Sequence, residues 1–150
     1  MSSLTWKRPD GYVITTDPHK ININELHRFL SLESYWALGV PKKLVEKSLK
    51  HSISFSLLSP EGSFIGFARV ITDQATFAYL ADVFVHKSIR MKGLGTWLME
   101  TVIAHPDLQN LRNFLLFTKD AQDFYAKFGW TAPKDPSRVM VIKKRAEDLY

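Results

Sequence analysis

Between residues 79 and 96 the chain reads Tyr79-Leu80-Ala81-Asp82-Val83-Phe84-Val85, then His86-Lys87-Ser88-Ile89, then Arg90-Met91-Lys92-Gly93-Leu94-Gly95-Thr96. An apolar run, a short loop and a glycine-rich turn that leads into a helical pattern together suit an anion. The first turn of a helix leaves backbone N–H groups without partners, and the helix dipole adds partial positive charge. Glycines let the backbone approach a phosphate closely, and Arg90 and Lys92 add full charges beside it. Two phosphate-binding patterns do not fit. Gly95 is followed by Thr96 with no lysine, so this is not a P-loop. A dinucleotide fingerprint needs a small residue where Leu98 stands and a parallel βαβ unit, whereas this strand closes an antiparallel meander.

About thirty residues on stands Asp123-Phe124-Tyr125-Ala126-Lys127-Phe128-Gly129-Trp130, a helical stretch with a Phe-Tyr pair that ends in Gly-aromatic. These two stretches, with a helix, a Pro106 break and a buried strand between them, resemble the two signatures of the GNAT superfamily of acyltransferases. The resemblance covers about residues 53–130, and more loosely the two helices before them. It implies acetyl-CoA as acyl donor, with Val83, Phe84 and Val85 offering backbone groups to the pantetheine arm. The pyrophosphate would sit on the turn formed by Arg90, Met91, Lys92, Gly93, Leu94, Gly95 and Thr96. It implies a slot where the next strand splays away, lined by Leu116, Phe117 and Thr118. Many relatives have Asn at the Thr118 position, and Thr reaches less far. Tyr125 stands where the family has its usual general acid.

The chemistry of the residues agrees. Acyl transfer from a thioester to an amine proceeds by direct attack in a ternary complex and needs no enzyme nucleophile. It needs a neutral amine, a polarised carbonyl and a proton for the leaving thiolate. A backbone N–H near Phe84-Val85 can polarise the carbonyl, and a phenol such as Tyr125 can share a proton with sulfur. Asp82 is the one acid on the strand leading to the donor. It is the candidate base or the holder of a cationic substrate; a Glu often found beside it in relatives is replaced by Ala81. Glu33, Tyr35 and Trp36 lie at a break between two helices, and an acid with two aromatics suits an amine. The expected function is therefore acetyl transfer to a primary amine, with a small molecule as the expected acceptor. A non-catalytic acyl-CoA-binding module is the alternative.

These residues need elements to position them. A strand is expected at residues 12–16, then a helix capped by Asn22 or Asn24 with Ile23, Leu26, Phe29, Leu30 and Glu33 at helical spacing. Pro41 opens a second helix. Residues 52–58, 64–71 and 76–85 read as an antiparallel meander with turn chemistry at residues 59–63. A helix follows the glycines and ends at Pro106. Then come a buried strand at 113–118, a helix at 120–128 stopped by Gly129, and a last strand at 139–143. The expected class is α/β, a mixed, mostly antiparallel sheet with helices on both faces, as one acetyltransferase domain over residues 1–150.

Composition bounds the rest. The 150 residues are 45% hydrophobic and 23% charged, the profile of a folded chain. No cysteine is present, which removes disulfides, thiolate metal sites and a cysteine nucleophile. The five histidines, at 19, 27, 51, 86 and 105, have no metal-ligand spacing, so no metal is expected. The net charge of +5 favours anionic partners. No nucleic-acid-binding signature accompanies it, so neither nucleic acid nor membrane is expected as a partner. No signal-peptide core or membrane span is read, and a cytoplasmic location follows as the expectation. A homodimer is possible within the family resemblance.

Overall fold

The computed structural model describes residues 2–89 and 92–150; Arg90 and Met91 of the glycine-rich turn lie outside the described residues. Strands β1 (Thr5–Lys7), β2 (Val13–Thr15), β3 (Ile53–Leu58), β4 (Phe64–Thr72), β5 (Phe77–Val85) and β6 (Asn113–Leu116) form one sheet in sequential order. Each neighbour is antiparallel except β6, which runs parallel to β5. The parallel pair needs a crossover, and helix α3 (Leu94–Ala104) supplies it. Helices α1 (Ile23–Leu32) and α2 (Lys42–Leu49) precede β3, and the short α4 (Gln122–Ala126) follows β6. The mixed, mostly antiparallel α/β sheet expected from the sequence is the fold observed. Among the described residues no helix is long and apolar enough to cross a membrane.

Two apolar cores cover the two sheet faces. Phe55, Leu57, Ala68, Val70, Ala78 and Leu80 pack beneath α3 residues Leu94, Leu98, Met99 and Val102. On the other face Phe67 and Phe84 pack beneath Leu26 and Leu30 of α1 and Val45 of α2. Asn22 starts α1 by accepting the Glu25 N–H at 3.1 Å, the capping that its side chain suggested.

Side chains along a strand alternate faces, so Phe84 should share a face with Ala78 and Leu80. It does not, because β5 carries a bulge. Phe67 pairs with Phe84 and Arg69 with Ala81, so Asp82 and Val83 together oppose Ala68. Asp82 adopts a left-handed backbone, φ 57°, a conformation that Asp tolerates better than most residues. After the bulge the faces are exchanged. Val83 and Val85 pack toward α3, while Phe84 turns to α1 and stacks on Phe29 at 4.0 Å.

Two expectations are corrected. β1 was not foreseen; at three residues it shows no readable period, and Trp6 is held by stacking on Phe55 at 6.2 Å. The strand expected at 139–143 carries no ladder among the described residues: Met140 is 91% and Ile142 98% exposed. Strand propensity is expressed only where an edge is available to pair with. Two ends also differ, since β6 stops at Leu116 rather than 118 and α4 is shorter than residues 120–128.

The bulge depends on close approach of β4 to β5. A Cβ at Gly66 would lie 3.0 Å from the Phe84 carbonyl oxygen and 2.9 Å from Leu57 Cδ2. Gly66→Ala is expected to lower stability by about 1–3 kcal/mol in urea unfolding. A loss below about 0.5 kcal/mol would show that the two strands separate freely here.

Candidate active site

The β5–β6 ladder covers only Phe77 to Leu80 against Asn113 to Leu116. β5 continues to Val85 while the chain leaves β6 after Leu116, so the sheet opens between the C-terminal ends of these strands. On the β5 side stands the start of α3. Gly93 is its N-cap in the left-handed region, φ 70°, and no side chain caps the helix. The first intrahelical bond runs from the Trp97 N–H to the Gly93 carbonyl at 3.0 Å. The N–H groups of Leu94, Gly95 and Thr96 therefore have no partner within α3. A Cβ at Gly95 would sit 3.7 Å from the Phe124 ring and 4.0 Å from Val85. Glycine there leaves room between the end of β5 and α4.

On the β6 side the Thr118 hydroxyl accepts the Ala121 N–H at 3.0 Å and so shapes the turn into α4. Tyr125 on that helix is half-buried, with Phe124 at 5.2 Å and Trp130 at 5.8 Å between ring centres. Burial, with a smaller contribution from Tyr35, pushes its hydroxyl up to about 12. At neutral pH it carries its proton.

Tyr35 and Trp36, in the turn after α1, hold the two sides together. The Trp36 indole N–H donates to Asp82 Oδ1 at 2.9 Å on β5. The Tyr35 hydroxyl accepts the Lys119 N–H at 2.9 Å beyond β6, and the Lys119 ammonium lies 5.7 Å from the Tyr35 ring centre. The two rings meet edge to face at 5.0 Å. Two adjacent residues thus tie the α1–α2 turn to both walls of the opening. The other Asp82 oxygen, Oδ2, takes the Arg69 Nε–H at 2.7 Å, and both side chains are nearly buried. Both carboxylate oxygens of Asp82 are thereby engaged.

A family model for the acetyltransferase (GNAT) domain matches residues 53–132. The chain belongs to the GNAT acetyltransferase family. A candidate GNAT acetyltransferase from Xanthomonas campestris is 42% identical, with 90% of this chain and 94% of that one covered and a TM-score of 0.88. A candidate acetyltransferase from Gibberella zeae is 29% identical, covering 81% of this chain and 79% of that protein. An uncharacterised N-acetyltransferase from Porphyra purpurea is 32% identical, covering 85% and 74% respectively. Acyl transfer is the activity of the family, and this GNAT chain is an acyltransferase by membership.

The fold groups the residues singled out in the sequence unevenly. Asp82, Tyr35 and Trp36 form one bonded cluster, with Tyr125 close enough for Tyr35 to influence it. Val83 and Val85 face α3, whereas Phe84 faces α1. Glu33 is set apart from Asp82. It binds the Arg28 guanidinium at 2.6 Å, in a small cleft it shares with Phe29, Phe84 and His86. Among the described residues no group of three or more His, Cys, Asp or Glu could hold a metal ion.

Four contributors escaped sequence reasoning. Arg8 donates to the Lys92 carbonyl at 3.2 Å and lies 5.4 Å from the Trp97 ring centre, buttressing the glycine turn from β1's side. Lys119 anchors Tyr35. Tyr79 on β5 meets Phe117 edge to face at 5.7 Å, and burial followed by the Asp82 charge raises its hydroxyl pKa. Arg69 would have needed the β4–β5 register, which no local pattern reveals.

Asp82→Ala removes a nearly buried ion pair and places alanine in a left-handed backbone. A loss of about 3–5 kcal/mol is expected in chemical denaturation. Asp82→Asn, which still accepts from Trp36 and tolerates the backbone, should lose less. Trp36 should become more accessible to acrylamide quenching in the Ala variant than in the Asn variant, with Trp36→Phe identifying its share of the emission. Unchanged quenching in Asp82→Ala would show that the turn is held without the carboxylate.

Proposed function

We propose that this GNAT enzyme transfers an acetyl group from acetyl-CoA to a primary amine of a small molecule by direct attack in a ternary complex. The observation that carries the reading is the opening between β5 and β6, with helix N–H groups that have no partner within α3 on one side and a protonated tyrosine on the other. The donor's pyrophosphate would be held by the N–H groups of Leu94, Gly95 and Thr96. Lys92 supplies charge beside them, and Arg90 and Met91 belong to the same proposed turn. Val83, Phe84 and Val85 would flank the pantetheine arm from β5. Thr118 would face it from beyond β6; its oxygen already accepts from Ala121, so donation of its O–H is the contact available.

The amine nitrogen attacks the thioester carbonyl carbon. The carbon–nitrogen bond forms, the carbon–sulfur bond breaks, and sulfur takes a proton from the Tyr125 hydroxyl while nitrogen loses one to water. Tyr125 is then reprotonated from solvent. A hydroxyl held at about 12 remains loaded at neutral pH; it is a weaker acid than an ordinary thiol of pKa about 8.5, so burial keeps the proton available at some cost in driving force for its transfer to sulfur. Asp82, with one oxygen on Arg69 and the other on Trp36, is assigned to positioning rather than to proton removal. Its remaining lone pair and the rings of Tyr35 and Trp36 suit an ammonium that must be received before it deprotonates. Glu33, paired with Arg28 in a separate cleft, takes no part in receiving it. A location in the cytoplasm, where acetyl-CoA and metabolite amines meet, accords with this chemistry.

Thermal unfolding with acetyl-CoA and with free CoA tests donor binding. At about 100 times the dissociation constant, a stabilisation near 2.7 kcal/mol is expected, and Gly93→Asp should abolish it by placing a carboxylate at the helix start. Tyr125→Phe should keep the shift and lower the rate of CoA release in an amine screen by about 10²–10⁴-fold. No shift at millimolar CoA would remove the donor assignment; a shift with Tyr125→Phe fully active would remove the acid.

A further inference from the structure

Arg8 reaches the start of α3 from the far edge of the sheet. It stands in the turn between β1 and β2, where the Arg8 N–H donates to the Tyr12 carbonyl at 2.9 Å and the Gly11 N–H to the Arg8 carbonyl at 3.0 Å. This turn rests on the one between β3 and β4, since a Cβ at Gly11 would come 3.0 Å from the Pro60 Cβ. The Arg8 guanidinium lies 5.4 Å from the ring centres of both Tyr12 and Trp97. Its Nε and Nη2 donate to the two carboxylate oxygens of Asp10. Its Nη1 donates to the Lys92 carbonyl at 3.2 Å. A planar fork bonded at three nitrogens and set between two rings has little freedom to move.

The bond to Lys92 sets the direction of a backbone N–H. The Lys92 carbonyl and the Gly93 N–H belong to one trans peptide, in which the two groups point in opposite directions. A grip on the oxygen therefore turns the Gly93 N–H away from Arg8. The helix fixes what lies on that side. Gly95 and Trp97 are two residues apart, roughly 200° around α3. Trp97 faces Arg8, so Gly95 faces the other way, where a Cβ would meet the Phe124 ring and Val85. That is the side of the opening between β5 and β6. Among the described residues the Gly93 N–H has no acceptor. Gly93 is left-handed, φ 70°, and a glycine has no side chain to restrict its backbone. Its orientation depends on a hold from outside.

We propose that Arg8 is a positioning residue for the diphosphate of the acyl donor: it orients the Lys92–Gly93 peptide so that the Gly93 N–H joins those of Leu94, Gly95 and Thr96. The inference rests on the functional reading above. Arg8 acts through the peptide it holds rather than through its field, because Asp10 balances its charge at contact distance and the guanidinium lies behind the turn. A cation on the carbonyl also polarises the same peptide and strengthens its N–H. The first turn of the sheet thereby sets an anion-binding group at the opening between the last two strands.

Two measurements test this, and the first needs no acyl donor. The chain has seven glycines, so isotope-labelled glycine gives a sparse amide spectrum in which Gly93 can be followed. In the unaltered chain its nuclear Overhauser effect should match that of Gly95 in α3. Arg8→Ala/Asp10→Ala removes one charge of each sign; there the effect at Gly93 should fall to the level of a loop, while that at Gly66 in β4 stays unchanged. The second measurement is affinity. In the double variant the dissociation constant for CoA should rise about tenfold, the loss of one strong hydrogen bond. Binding of pantetheine, which lacks the diphosphate, should not change. Asp10→Asn, which keeps the bond from Arg8 to Lys92, should bind CoA as the unaltered chain does. A Gly93 amide as ordered in the double variant as in the unaltered chain would overturn the proposal. So would an unchanged affinity for CoA, an equal loss for CoA and pantetheine, or an equal loss in Asp10→Asn. No binding of CoA to the unaltered chain would overturn the functional reading and the diphosphate role with it, whereas the Gly93 signal decides by itself whether Arg8 holds the peptide.

Discussion

The left-handed backbone at Asp82 is the constraint on which the rest of the site depends. One residue with φ 57° puts an extra position into β5 and exchanges the faces of everything after it. The exchange sends Phe84 beneath α1 and turns Val83 and Val85 toward α3. The conformation is held by the carboxylate of the same residue, through Arg69 on β4 and Trp36 on the α1–α2 turn. A nearly buried charge pair is weak evidence of stability, because desolvation offsets much of the attraction. Its consequence here is geometric: it fixes where the strand bends and which aromatic residues roof the opening.

The opening itself arises from unequal strand lengths rather than from a cavity carved in the core. β5 outruns β6 by the length of the bulged segment, and the gap is bridged by Tyr35 and Trp36, one tied to each side. Catalytic groups in such a site need little charge of their own. On the proposed reading, helix N–H groups would meet the anionic end of the donor, and a tyrosine kept protonated by burial would meet the sulfur. The one full carboxylate at the centre is occupied with structure. This division accords with a reaction that proceeds by placing two reactants together rather than by a covalent enzyme intermediate.

Much of this was legible in the sequence, and the reasons differ by element. The meander from β3 to β5 follows from alternation and turn chemistry, and the start of α3 from two glycines at a strand-to-helix junction. The family assignment followed from two stretches in register, at residues 79–96 and 123–130. The bulge was not legible, because an Asp within an apolar strand reads the same whether it faces in, faces out or turns left-handed. Nor were its partners: Arg69 and Trp36 lie 13 and 46 positions away. Arg8 buttresses a turn 84 positions distant. Such contacts are set by sheet register and helix docking, neither of which leaves a local pattern.

The run at 139–142 shows the opposite case, in which local pattern and single-copy structure disagree. Its residues favour a strand, yet strand propensity measures fit to a pleated neighbour and has no expression without one. The asymmetry that opens the slot also limits β6. Ending β6 at Leu116 leaves it with four ladder pairs on one side, a short wall for a site that, on the proposed reading, would hold a thioester in register. The wall is braced from outside by Trp130 on Phe114 and from above by Tyr35 on Lys119. Side-chain anchors thus do for β6 what a second ladder does for a central strand.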